Sequence, residues 1–149
     1  MQMVEARRGG ATEDMKAVAK TEGRPVEFIM KKLAEGRLII PRNVKREDIG
    51  VKGIGEGLRT KVNANVGTSP DYADIDEEVE KAKVAVKYGA DSIMDLSIGG
   101  GIDEVRRQIL KTVNVPVGTV PIYQAGIEAA EGGSVVDMGS DDNYLKEKQ

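Results

Sequence analysis

The interval at which polar signatures follow strand-like runs constrains this chain more than any other feature. Lys61–Val66 (KVNANV), Ser92–Ser97 (SIMDLS) and Val117–Tyr123 (VGTVPIY) each read as a β-strand ending in polar residues. Asn65, Met94 and Tyr123 stand at equal intervals of 29 residues. A spacing of about 30 residues is one strand plus one crossover helix. In a parallel α/β barrel that period brings successive strand ends to one rim, where active sites form. The expected fold is α/β: a partial (β/α) barrel of parallel strands preceded by a short helical N-terminal segment. Its 149 residues fall short of the roughly 250 that eight βα units need.

The segments between these signatures carry helical periodicity. Ile75, Val79, Ala82 and Val86 form one stripe of a helix over residues 76–88, closed by Gly89. Glu77, Glu78, Glu80, Lys81 and Lys83 are read as its solvated face. Asp103 is expected to cap a helix with Val105, Ile109 and Thr112 inward, and a short helix is expected at Gln124–Glu131. Ahead of this, Thr12 is expected to cap a helix stopped by Gly23. Pro25 opens a second helix with Val26, Ile29, Met30 and Leu33 inward, ended by Gly36. Leu38–Ile40 reads as a short strand, Asn43–Gly57 as a polar connection and Arg59–Val66 as a strand. Val135–Val136 is expected to be extended, with a last helical turn from Ser140. The expected organisation is a helical segment and linker over 1–57, then the first βα units of a truncated barrel over 58–149.

Several chemistries are excluded by composition. There is no cysteine and no histidine, so this chain offers no thiolate nucleophile, disulfide, imidazole base or iron–sulfur ligand. Zinc would find only carboxylates, an uncommon ligand set. A net charge of −3 with mixed signs gives no electrostatic case for nucleic acid or an anionic membrane. No apolar run approaches the ~18 residues of a membrane span, and Met1–Gly10 has no signal-peptide core. A cytoplasmic location is the expectation.

Candidate chemistry sits at the strand ends. Asn63 and Asn65 share a strand face, and Asn65 either hydrogen-bonds a ligand or belongs to a satisfied structural network. Asp95 with Ser97 reads either as a ligand-binding carboxylate or as one half of an ion pair with Arg59 or Lys61. Met94 taken alone reads as core. Tyr123, just past a strand expected at Val115–Val120 and after Pro121, either bonds a phosphate or covers a flat heterocycle, or is an ordinary surface or core aromatic. Gly99–Gly101 precedes a helix and is either an anion-holding turn or a plain βα turn. Gly53, Gly55 and Gly57 do not match a dinucleotide or Walker loop and are read as serving turn geometry. No pair of catalytic carboxylates is identifiable.

These signatures also carry a resemblance. GLRTKVNANVGTS (Gly57–Ser69), EEVEKAKVAVKYGADSIMDLS (Glu77–Ser97), VPVGTVPIYQA (Val115–Ala125) and GGSVVDM (Gly132–Met138) resemble the phosphomethylpyrimidine synthase (ThiC) family of thiamine biosynthesis. The resemblance implies a radical S-adenosylmethionine enzyme on a (β/α) barrel. Such an enzyme converts 5-aminoimidazole ribotide to 4-amino-5-hydroxymethyl-2-methylpyrimidine phosphate, using a [4Fe–4S] cluster, S-adenosylmethionine and a zinc or similar divalent metal. It also implies that Asn65, Met94 and Tyr123 contact the ribotide substrate. The family's usual Thr and acidic or amide residue after MDLS are here Ile98 and Gly101. The family's histidines and C-terminal cysteine motif have no counterpart in this chain. The expectation is the amino-terminal portion of such an enzyme, inactive alone and self-associating through an open sheet edge. A 5-hydroxybenzimidazole synthase paralogue and a non-catalytic ribotide-binding or barrel-completing module are the alternatives.

Overall fold

The computed structural model describes residues 1–43, 45, 46, 48–133 and 135. The described residues divide into two compact units, those within 1–62 with 114–116, and those within 63–113 with 117–133 and 135.

The first unit is built on three helices, α1 (Gln2–Arg7), α2 (Glu13–Glu22) and α3 (Val26–Ala34). Thr12 caps α2 by accepting the Met15 N–H at 3.3 Å. Gly23 ends the helix in the left-handed conformation, φ +62°, where a side chain is disfavoured. Pro25 is the N-cap of α3 rather than its first residue. Met15, Val18, Ile29, Leu33 and Leu38 form the core of this unit. Full burial of each contributes about 1.5–3 kcal/mol.

β1 (Leu38–Ile39) pairs antiparallel with β2 (Ile54–Gly55), Leu38 opposite Gly55. Part of the segment expected to be a plain connection is therefore a strand. Its glycines serve close packing as well as backbone geometry. A Cβ on Gly55 would stand 2.6 Å from Leu38 Cα, and one on Gly57 2.6 Å from the Phe28 ring.

The second unit alternates β3 (Asn63–Val66), α4 (Ile75–Lys87), β4 (Ser92–Asp95), α5 (Ile102–Thr112), β5 (Val117–Thr119) and α6 (Pro121–Gly132). The three strands form one parallel sheet in the order β3-β4-β5. Strand–helix–strand alternation with parallel pairing is the expected α/β pattern. α4 packs on β3 and β4, and α5 on α4. Ile93, Ala82, Val105 and Ile109 are fully buried.

Side chains of successive strand residues point to opposite faces. Val66, Ile93 and Asp95 are buried, while Asn65, Ser92 and Met94 alternate with them and are more open. Arg106 of α5 reaches Asp95, which identifies the buried side as the helix-covered face. The Asn65 and Met94 side is the open face.

Some boundaries differ from expectation. Strand pairing begins at Asn63, because Lys61 and the Arg59 N–H are engaged by Glu22 instead. Thr112 is exposed rather than inward. Gly101, not Asp103, is the N-cap of α5. The segment at Val135–Val136 and the turn from Ser140 reach outside the described residues. Among the described residues no helix is long and apolar enough to cross a membrane.

Candidate functional site

β3 and β4 pair in register along the two signatures. Asn63 lies opposite Ser92, Asn65 opposite Met94 and Val66 opposite Asp95. The interval of 29 residues between Asn65 and Met94 is thus a true register match. Met94 in turn lies opposite Gly118 of β5. A Cβ on Gly118 would be 3.1 Å from Met94 Sδ and 3.2 Å from its Cε. The thioether therefore lies across Gly118, on the open face.

Tyr123 lies just past its strand and after Pro121, as expected. β5 ends at Thr119, and Pro121 is the first residue of α6. Proline suits a first helical position because its missing N–H needs no partner there. Tyr123 stands in the first turn of that helix, its N–H donating to Val120 O at 3.0 Å. The residue is 43 % exposed. It is a residue of the βα junction.

A hydrogen-bond relay crosses the open face. Ser92 Oγ donates to Asn63 Oδ1 at 2.7 Å, and Asn63 Nδ2 donates to Asn65 Oδ1 at 3.2 Å. The two asparagines share a face, as their alternation requires.

Two carboxylates hold the strand ends from the helix side. Asp95 is 2 % exposed. Its Oδ1 accepts from the Ser97 N–H at 3.0 Å and from Ser97 Oγ at 2.5 Å. Its Oδ2 faces Arg106 Nε at 3.6 Å, and Arg106 continues to Thr119 Oγ1 at 3.2 Å. Asp95 is therefore one half of an ion pair, but with Arg106 and not with Arg59 or Lys61. Ser97 Oγ also accepts from the Thr68 N–H at 3.2 Å, and Thr68 Oγ1 donates to Gly99 O. This network joins the ends of all three strands.

Glu78, expected on the solvated face of α4, is 2 % exposed. It accepts from the Gly67 N–H and from Lys81 Nζ, each at 2.7 Å. Sequence reasoning missed Glu78 and Arg106, although a signal existed. Glu78 falls on the inner stripe, three residues after Ile75 and four before Ala82. Arg106 stands four after the buried Ile102. A charge on an apolar stripe marks a buried partner.

The glycine turn before α5 has a packing explanation. Gly100 adopts φ +69°, and a Cβ there would stand 2.8 Å from Ala73 Cβ. The β3–α4 and β4–α5 loops can approach this closely only with glycine. A cavity of about 310 Å³ beside it is lined by Gly101, Asp103, Glu104, Arg107, Gln124 and Glu128. Three carboxylates against one guanidinium do not favour an anion. Ile98, at the family's usual Thr position, is exposed, with its N–H donating to Thr68 O at 2.9 Å.

No group of three or more metal-ligating side chains occurs among the described residues. With no cysteine or histidine in the sequence, the donor set does not fit an iron–sulfur cluster or an ordinary zinc site.

The comparisons with known proteins agree with the signatures. The chain is 54 % identical over 144 residues to a phosphomethylpyrimidine synthase of Pyrococcus furiosus, covering 96 % of this chain and 34 % of that protein. It is 52 % identical over 141 residues to one of Methanococcus maripaludis, covering 94 % and 33 %. It is 51 % identical over 144 residues to one of Thermus thermophilus, covering 96 % and 33 %. The chain thus spans about a third of the length of these relatives. The model of the radical SAM ThiC family matches residues 1–147, and this chain belongs to that family.

Proposed function

We propose that this chain supplies part of the substrate surface of a phosphomethylpyrimidine synthase that rearranges 5-aminoimidazole ribotide in thiamine biosynthesis. β3, β4 and β5 are read as three consecutive staves of a (β/α) barrel, with the open face turned to the barrel interior and residues 58–149 as its first βα units. Asn65, Met94 and Tyr123 are the proposed substrate-binding residues. An amide hydrogen-bonds a polar atom of the ribotide. A thioether offers a polarizable surface to its flat imidazole. A phenol bonds a phosphate or ring atom. The observation that carries this reading is the register pairing of Asn65 with Met94 on the open face, in a chain matched by the family over nearly its whole length.

The chemistry of the family rests on a reduced cluster that cleaves S-adenosylmethionine. No residue here can ligate it, so its thiolates must come from a different stretch of polypeptide, and these 149 residues alone are inactive as a synthase. β3 and β5 are the edges of the described sheet. Unpaired strand edges recruit another chain, so self-association is expected, and a strict monomer by light scattering would count against it.

Calorimetric titration of the chain with 5-aminoimidazole ribotide tests the site. Saturable binding that weakens in Asn65→Ala and Tyr123→Phe supports the reading. Equal binding by wild type and both variants refutes it.

A further inference from the structure

The relay on the open face has a direction, and the direction decides what a ligand must offer. An asparagine side chain has one acceptor oxygen and two N–H donors, and its neighbours determine which end faces out. Ser92 Oγ donates to Asn63 Oδ1 at 2.7 Å. With its oxygen so engaged, Asn63 turns its Nδ2 to Asn65 Oδ1 at 3.2 Å. The oxygen of Asn65 is thereby turned to Asn63, and its Nδ2 makes no hydrogen bond to the described residues. Asn63 and Ser92 are register partners, and Asn65 and Met94 are the next pair on the same face. The residues of the relay are therefore placed by the sheet itself rather than by a mobile loop.

We propose that Asn63, held by Ser92, is a positioning residue that fixes the Asn65 amide so that its NH2 group faces outward and selects a hydrogen-bond acceptor on the ligand. This rests on the reading of the open face as the ribotide site. The ribotide offers such acceptors at its ring nitrogen, its ribose oxygens and its phosphate. A ligand presenting only a donor at this point leaves two like groups facing each other, which specific sites reject.

Two measurements on the 149-residue chain test this. The first needs no ligand. Side-chain amide exchange of Asn63, followed by NMR, is expected to be faster in Ser92→Ala than in wild type. Identical rates overturn the role of Ser92.

The second is ribotide affinity in a double-mutant cycle. Asn63→Ala is expected to weaken binding about 2- to 12-fold, the range of one hydrogen bond. In an Asn65→Ala background it is expected to add nothing. Asn63→Asp presents only acceptors to Asn65 and turns its amide over. Its loss is therefore expected to exceed that of Asn63→Ala, for the phosphate-free riboside as well as the ribotide, which separates amide reversal from charge repulsion. Asn63 is exposed, so neither variant threatens the fold.

If Asn65→Ala weakens binding but Asn63→Ala does not, or if Asn63→Asp is no worse than Asn63→Ala, the proposal falls and the site reading stands. If Asn65→Ala binds as tightly as wild type, the site reading falls. The selection of a ligand acceptor falls with it, and the exchange rates alone then decide whether Asn63 fixes the amide.

Discussion

Replacing Glu78 tests whether the strand ends are held from beneath. The carboxylate is almost fully buried and has two partners, the Gly67 N–H and Lys81 Nζ, each at 2.7 Å. Glu78→Ala removes both. The Gly67 N–H loses its acceptor in a partly buried setting, a cost of about 1–2 kcal/mol. The Lys81 side chain is 47 % exposed and falls back on water and Glu77, so that loss is about 0–1 kcal/mol. The removed Cγ methylene adds about 1 kcal/mol of lost burial. The sum is about 2–4 kcal/mol.

Glu78→Gln keeps an oxygen for Gly67 and loses only the charge, so about 1 kcal/mol is expected. Urea unfolding followed by far-UV circular dichroism measures both. Hydrogen exchange at Gly67 is expected to quicken in Glu78→Ala more than exchange at Ile93 on the central strand, because the lost contact is local. Stability of Glu78→Ala within about 0.5 kcal/mol of wild type, the range of an ordinary surface change, would refute the reasoning and return Glu78 to the solvated face.

Two further outcomes are expected. Gly118→Ala adds a Cβ 3.1 Å from Met94 Sδ. The flexible thioether can shift by a few tenths of an ångström, so the fold is retained while the Met94 methyl resonance moves and ribotide affinity falls; an unmoved methyl counts against the packing of Met94 on Gly118. In the first unit, hydrogen bonds from Arg37 and then Lys32 hold Glu56 down at about 2, from an ordinary 4.5. A depressed folded value contributes stability that is present above 4.5 and lost as pH falls through about 2. Glu56→Gln is therefore expected to flatten the acid limb of unfolding in that window, and an unchanged limb would contradict it.

How much of this was legible depends on whether a residue's role is local or tertiary. The Thr12 cap, the Gly23 stop and the Ile29–Leu33 stripe are local, and each stands where its chemistry requires. The 29-residue interval correctly paired Asn65 with Met94 because one strand, one helix and two loops fill it. Tyr123 is expected just past its strand, and it lies there, since β5 ends at Thr119, although α6 opens at Pro121 rather than at Gln124. Arg59–Val62 alternated like a strand, yet Glu22, 37 residues before Arg59, binds Arg59 and Lys61. Burial pushes the Glu22 carboxyl up, but the Lys61 ammonium and the Arg59 N–H outweigh it and leave it below its ordinary value. No local pattern announces a partner at that separation. The Asp95–Arg106 pair was half legible: a paired carboxylate was foreseen, but its partner comes from the following helix rather than the preceding strand.

Asn65 and Met94 are proposed to form one ligand-contacting surface on the open sheet face. The most direct measurement is an NMR titration with 5-aminoimidazole ribotide, observing methionine methyl groups and asparagine side-chain amides. Saturable shifts at the Met94 methyl and the Asn65 NH2 are expected, spreading to Gly118, while Met15 in the core of the first unit stays fixed. Saturation by ribotide with Met94 and Asn65 unmoved would contradict the account.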